Sequence, residues 1–92
     1  MTTSVTIKDG DNPGFIVLVG EVAQKHVLRK FNVTNDPNVD ATKVLCAALI
    51  QLMIEKRDAP DAPPHVKRAC SIAITDLEKV QMVCVKANFV EA

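Results

Sequence analysis

The heptapeptide DAPDAPP, Asp58 to Pro64, carries three prolines, and no helix runs through such a stretch. Apolar runs of helical length stand on both sides of it. The break is too short to let them part, so they fold back on each other antiparallel. The chain is thus read as predominantly all-α: an antiparallel helical hairpin preceded by a short N-terminal helix or β-hairpin element. Ninety-two residues make one small domain. Within it, residues 1–20 read as an N-terminal extension, 21–36 as a short helix and connector, and 37–89 as the hairpin.

The first hairpin helix is expected from about Val39 to Arg57. Asp36 before Pro37, or Asn38 with Asp40 behind it, offers start chemistry. Ala41, Val44, Leu45, Ala48, Leu49 and Leu52 make a stripe at helical spacing, and Ala47, Ile50, Met53 and Ile54 widen it well beyond one face. The second helix is expected from Pro64 to about Phe89. Val66, Ala69, Cys70, Ala73, Leu77, Val80, Cys84 and Ala87 fall on one side at about 100° per residue. Arg68, Ser71, Thr75 and Lys79 fall roughly opposite, with Ile72 between them and Met82 one turn beyond. Asp58 and Asp61 in the turn are expected to help cap.

The N-terminal part reads two ways. TIK–DGDNPG–FIVLV has the turn residues and β-branched flanks of a hairpin, whereas Pro13 also suits the first position of a helix that starts near Asn12. Val22, Ala23, Val27 and Phe31 favour a helix over 21–30. The run FIVLVG is far too short to span a membrane, and no secretory leader is visible. The expectation is a soluble, cytosolic protein with no membrane partner.

Composition narrows the function. The chain is formally neutral, with 11 basic and 11 acidic residues. Proteins that grip duplex DNA or long RNA carry a basic surplus, so duplex nucleic acid is an improbable partner. A small anion needs only a few local cations. The chain is 48% apolar with no Trp or Tyr, too apolar for a free-standing monomer of this size, which favours self-association. The three cysteines, Cys46, Cys70 and Cys84, show no CxxC spacing; Cys70 and Cys84 read as small core hydrophobes in a reducing compartment. His26 and His65 are singletons read as surface or cap residues. No metal-ligand spacing, phosphate-binding loop or nucleophile elbow is present, and Asp76 and Glu78 diverge on their helix. The reading is of a protein that is not an enzyme and takes neither metal nor cofactor.

The polar stripe then has two readings: a solvated face, or a wall built for an anion. An Arg forks onto phosphate oxygens and hydroxyls donate to phosphates or base edges. The interleaved Ile72 and Met82 suit a pocket wall or subunit interface better than a purely wet face.

The run RACSIAITDLEKVQM, Arg68 to Met82, resembles a signature of small phage anti-CBASS proteins, helical-hairpin sponges that sequester cyclic oligonucleotide immune signals. Arg68, Ser71, Ala73, Thr75, Leu77, Glu78 and Met82 match in register. The architecture from Phe31 to Phe89 is also similar: a Phe-led connector, a small-residue pair (Ala47, Ala48) and a Pro-rich turn. The resemblance implies a compact homohexamer in the cytoplasm of an infected host cell. It implies that cyclic nucleotides sit between protomers, uncleaved, and no longer activate host antiphage effectors. It further implies that Arg68 and Thr75 contact a cyclic trinucleotide, assisted by Ser71; Lys79 joins them as a candidate ligand-binding residue from its place in the polar stripe, not from the resemblance. Phe31 matches the connector aromatic that packs a base in a separate cyclic dinucleotide pocket. The chain departs from the pattern at Val33, where a Tyr is usual. It departs also at Leu45, where a basic residue is usual and Lys43 is the nearest cation, and at Val83, often a Trp. The alternative is a structural or regulatory helical module whose apolar excess makes a protein–protein interface.

Overall fold

The computed structural model describes residues 2–10, 14–30, 32 and 35–87. It is mostly helical (64%), with a small antiparallel sheet. Strands β1 (Thr3–Ile7) and β2 (Phe15–Val19) precede helices α1 (Glu21–His26), α2 (Pro37–Arg57) and α3 (Pro64–Ala87).

The N-terminal ambiguity resolves to a hairpin. Thr3 pairs with Val19, Val5 with Val17 and Ile7 with Phe15. Gly10, in the segment between the strands, sits at φ +59°, a left-handed conformation that glycine adopts without a Cβ penalty. FIVLV thereby becomes a strand with Val17 and Val19 buried and Ile16 and Leu18 exposed, the alternation of a sheet covered on one face. Two strands alone are marginal, and these lean on α2. The Gly20 N–H donates to Gln51 Oε1 at 2.9 Å, and Gln24 Nε2 donates to the Val19 carbonyl at 3.0 Å.

Helix α1 is shorter than the expected 21–30. It stops at His26 because the chain turns left-handed at Leu28 (φ +51°). The Leu28 and Arg29 N–H groups close back onto the carbonyls of Lys25 and Gln24, as in Schellman-type helix ends. Helix α2 starts as Asp36 and Pro37 suggest: the Asp36 carboxylate accepts from the Asn38 N–H at 2.8 Å, and Pro37 fills the first turn. Of the two turn aspartates, Asp58 caps the end of α2, its N–H donating to the Ile54 carbonyl, and α3 starts without either. Neither Asp58 nor Asp61 caps it with a side chain among the described residues. The Pro63 carbonyl takes the Val66 and Lys67 N–H groups at 3.0 Å, while Asp58 ends α2 and accepts from Arg57 Nε.

The principal correction concerns which faces are buried. In α2, Val39, Lys43, Cys46, Ala47, Ala48 and Ile50 are covered. Leu45 and Leu49, expected in the packing stripe, are 58% and 50% exposed, and Ile50 is fully buried. An α2 that is apolar all round carries no signal for choosing a face; β2, α1 and α3 choose it. In α3 the covered side is turned by nearly one residue step. Cys70, Ile74 and Gln81 are buried, whereas Ala69, Val80, Cys84 and Ala87 are exposed. Cys84 is therefore not a core residue, although Cys70 is.

By length and composition α2 is apolar enough to cross a membrane. A central core helix has the same character, and here its covered face carries Val39, Ala47 and Ile50 of the hydrophobic interior.

The face assignment is testable. Ile50→Ala is expected to cost about 2–5 kcal/mol in urea unfolding, and Leu49→Ala about 0.5 kcal/mol at protein concentrations low enough to disfavour association. Equal costs for the two would place the core on the other side of α2.

Candidate functional site

The stripe singled out in the sequence survives as one surface. Arg68, Ser71, Thr75 and Lys79 are all exposed on α3, and Ile72 and Met82 (62% exposed) are exposed alongside. The helical rise puts Arg68 and Lys79 about 16 Å apart along one side. The face is possible because α3 buries its other side on α2. Among the described residues neither Arg68 nor Lys79 forms an ion pair with a carboxylate. Both cations thus remain available to an external anion.

Thr75 is placed with them but its hydroxyl is occupied. Oγ1 donates to the Ser71 carbonyl at 3.1 Å, the common back-bond of a hydroxyl inside a helix. Its oxygen still accepts, and donation to a phosphate requires a rotamer change. None of these four residues lines the groove between α1 and α3 or the one at the proline turn. A convex helix face becomes a pocket wall only when a second surface comes against it.

Phe31 and Val33 lie outside the described residues. Leu45, at the position where a base-proximal cation was sought, points outward from α2. Lys43 does not substitute for it. Its side chain is buried, and Nζ donates to the Leu28 carbonyl at 2.8 Å, tying α2 to the turn after α1. Burial holds its ammonium below the usual lysine value of 10.5, with Asp40 opposing.

Three features were missed in the sequence. His26 is not an idle surface residue: its Nδ1 sits 2.7 Å from Glu78 Oε1 and docks α1 on α3. A contact between residues 52 apart leaves no local signature. Arg29 makes a two-pronged contact with Asp40, at 3.0 and 3.3 Å, and a third bond to Gln24 Oε1 at 2.8 Å. Gln81, on the buried side of α3, is 3% exposed, and its Oε1 has no hydrogen-bond partner among the described residues.

Cys46 has no setting for thiol chemistry. It is buried in the core, and burial, with Cys84 adding to the effect, pushes its pKa up and favours the inert thiol. Among the described residues no three His, Cys, Asp or Glu side chains converge to hold a metal ion.

Arg68→Ala and Lys79→Ala are expected to leave unfolding free energy within about 0.5 kcal/mol of the parent; a larger loss for either would mean that the cation supports the fold. Lys43 carries a pH signature. Its folded-state pKa is lowered, so just below pH 10.5 the unfolded chain binds more protons than the fold, and stability rises with pH there. Lys43→Met should lack that rise in urea titrations from pH 8 to 10.5. Comparison with known protein families, characterised proteins and solved structures finds no match to this chain.

Proposed function

We propose that this chain binds cyclic oligonucleotide immune signals without cleaving them and, as a homo-oligomer in the cytoplasm of an infected host cell, keeps them from host antiphage effectors. The observation that carries the reading is the α3 face. Arg68 and Lys79 stand there exposed and free of carboxylate partners among the described residues, with Ser71 and Thr75 between them. A guanidinium takes a phosphate in a fork, an ammonium adds a point charge, and hydroxyls contact the remaining oxygens. Ile72 and Met82 add apolar surface for base or sugar.

Self-association supplies the missing half of the pocket. Leu45 and Leu49 on α2, and Ile72, Val80, Met82 and Val83 on α3, are exposed apolar side chains, more than a small monomer leaves bare. Copies packed through them would set one Arg68 face against another and enclose a ligand; a hexamer is the state the sequence resemblance implies. Sequestration works by mass action, so tight binding suffices and no catalytic group is needed.

The same exposed leucines favour a second reading, a helical interaction module with no nucleotide ligand. Thermal melts with cyclic di- and trinucleotides separate the two. At a ligand concentration 100-fold above Kd the fold should gain about 2.7 kcal/mol, and the ligand should be recovered intact after heating. Arg68→Ala should lose the shift while keeping the parent's oligomeric mass. No shift with any of these ligands leaves the interaction module.

A further inference from the structure

We propose that the groove between α1 and α3 is an interface between two copies of this chain, closed about a two-fold axis and anchored by Leu28. The inference rests on the self-association in the reading above, not on its nucleotide ligand.

Leu28 occupies a position that suits glycine. Its φ of +51° is left-handed, a conformation that costs glycine nothing and strains a bulky side chain. Glycine is also the usual residue just past the end of a helix such as α1. The fold commits a buried ammonium to the same place, since Lys43 Nζ donates to the Leu28 carbonyl at 2.8 Å. The interior gains little from the side chain held there: Leu28 is 53% exposed and lies outside the core cluster. A strained residue fixed by a desolvated partner, with its side chain turned outward, points to a use outside the monomer.

Leu28 lines the groove with Val22 and Met82, each 62% exposed. Val83, 67% exposed, follows Met82 on α3, so the apolar surface of the groove runs on into that of the helix. Each of these four side chains leaves on the order of 100 Å² open, and with the polar rim a two-fold contact covers roughly 1,000 Å² in all, the least that a specific interface needs.

The polar rim identifies the occupant as a second copy. A two-fold interface sets one patch against itself, so the patch must be its own complement. Lys25 and Glu78 both line the groove, one cation and one carboxylate. Lys25 stands one turn from Glu21 yet reaches no carboxylate at ion-pair distance among the described residues. The Glu78 side chain is 41% exposed, and His26 engages one of its oxygens, which leaves the other for a new donor. The axis lays Lys25 of each copy beside Glu78 of the other, while Val22, Leu28 and Met82 meet at the centre.

Sedimentation of the full chain over a concentration series, without nucleotide, is the test. The parent should self-associate reversibly. Leu28→Gly should weaken association at least tenfold. In urea it should be no less stable than the parent when both are dilute enough to be monomeric. Leu28→Asn, which also accepts the left-handed turn, should weaken association likewise. Leu18→Asn removes an apolar side chain that is 63% exposed on the hairpin, and it should associate as the parent does. Lys25→Glu and Glu78→Lys, each checked by circular dichroism, should self-associate poorly alone and regain parental association when mixed, because only the mixed pair sets opposite charges across the axis. Parental association in Leu28→Gly, lower dilute stability in that variant, equal loss in Leu18→Asn, or no gain on mixing the folded charge variants overturns the proposal. A chain that stays monomeric overturns it together with the self-association of the reading above. A missing melting shift with cyclic oligonucleotides, alongside association that depends on Leu28, overturns the nucleotide ligand and supports the interface.

Discussion

Everything in this fold depends on the burial of one side of α2. Ala47 and Ile50 are fully covered, and the elements that cover them are the hairpin strand β2, helix α1 and helix α3. A two-stranded sheet and a six-residue helix have no independent stability. They persist because α2 offers them an apolar surface and specific anchors: Gln51 for the Gly20 N–H, Lys43 for the Leu28 carbonyl, Asp40 for Arg29. The small side chains Ala47 and Ala48 let the neighbours come close. The interior is therefore assembled around a central helix, among the described residues with no large aromatic side chain in the core cluster, which gathers Val17, Val19, Ala23, Val27, Ile50 and Ile74 from four different elements.

This dependence also explains what could be read from the chain beforehand. The starts of α2 and α3 and the break between them were legible because prolines and an aspartate mark them: Pro37 behind Asp36 at one start, Pro64 at the other, and three prolines to break the run between; the expected end of α3 near Phe89 lies outside the described residues. The exposed row Arg68–Ser71–Thr75–Lys79 was legible because polar residues at helical spacing have only one place to go. The buried faces were not. In α2 both Leu49 and Ile50 are acceptable core residues, and only the position of β2 and α1 decides between them. In α3 the covered side includes Gln81 and excludes Val80, the reverse of what hydropathy suggests. Tertiary packing there overrides the one-dimensional pattern, because α3 lies against α2 and meets α1 through Glu78.

Several polar groups follow one logic, tying a helix end or a turn to a neighbouring element. The left-handed Leu28 carries no glycine, and the turn there is held by a buried lysine. Asn32 brackets the approach to α2, its Oδ1 accepting from the Asp36 N–H and its Nδ2 donating to the Asp36 carbonyl. Arg29 clamps Asp40 and Gln24 in one network. Such long-range contacts cost desolvation, as the lowered Lys43 shows, but they fix the short segments that the hydrophobic core alone would leave loose. Gln81 stands apart, a buried amide whose Oε1 has no hydrogen-bond partner among the described residues.

Charge on α3 is segregated more than the neutral total suggests. The helix carries Lys67, Arg68, Lys79 and Lys86 against Asp76 and Glu78. Glu78 is drawn to the α1 side by His26, which removes it from the outer face and leaves Asp76 as the acid nearest the cationic row. A neutral protein can thus present a locally positive wall without paying the self-repulsion of a basic one. The His26–Glu78 contact docks α1 on α3 and holds the Glu78 carboxylate on the α1 side of that helix.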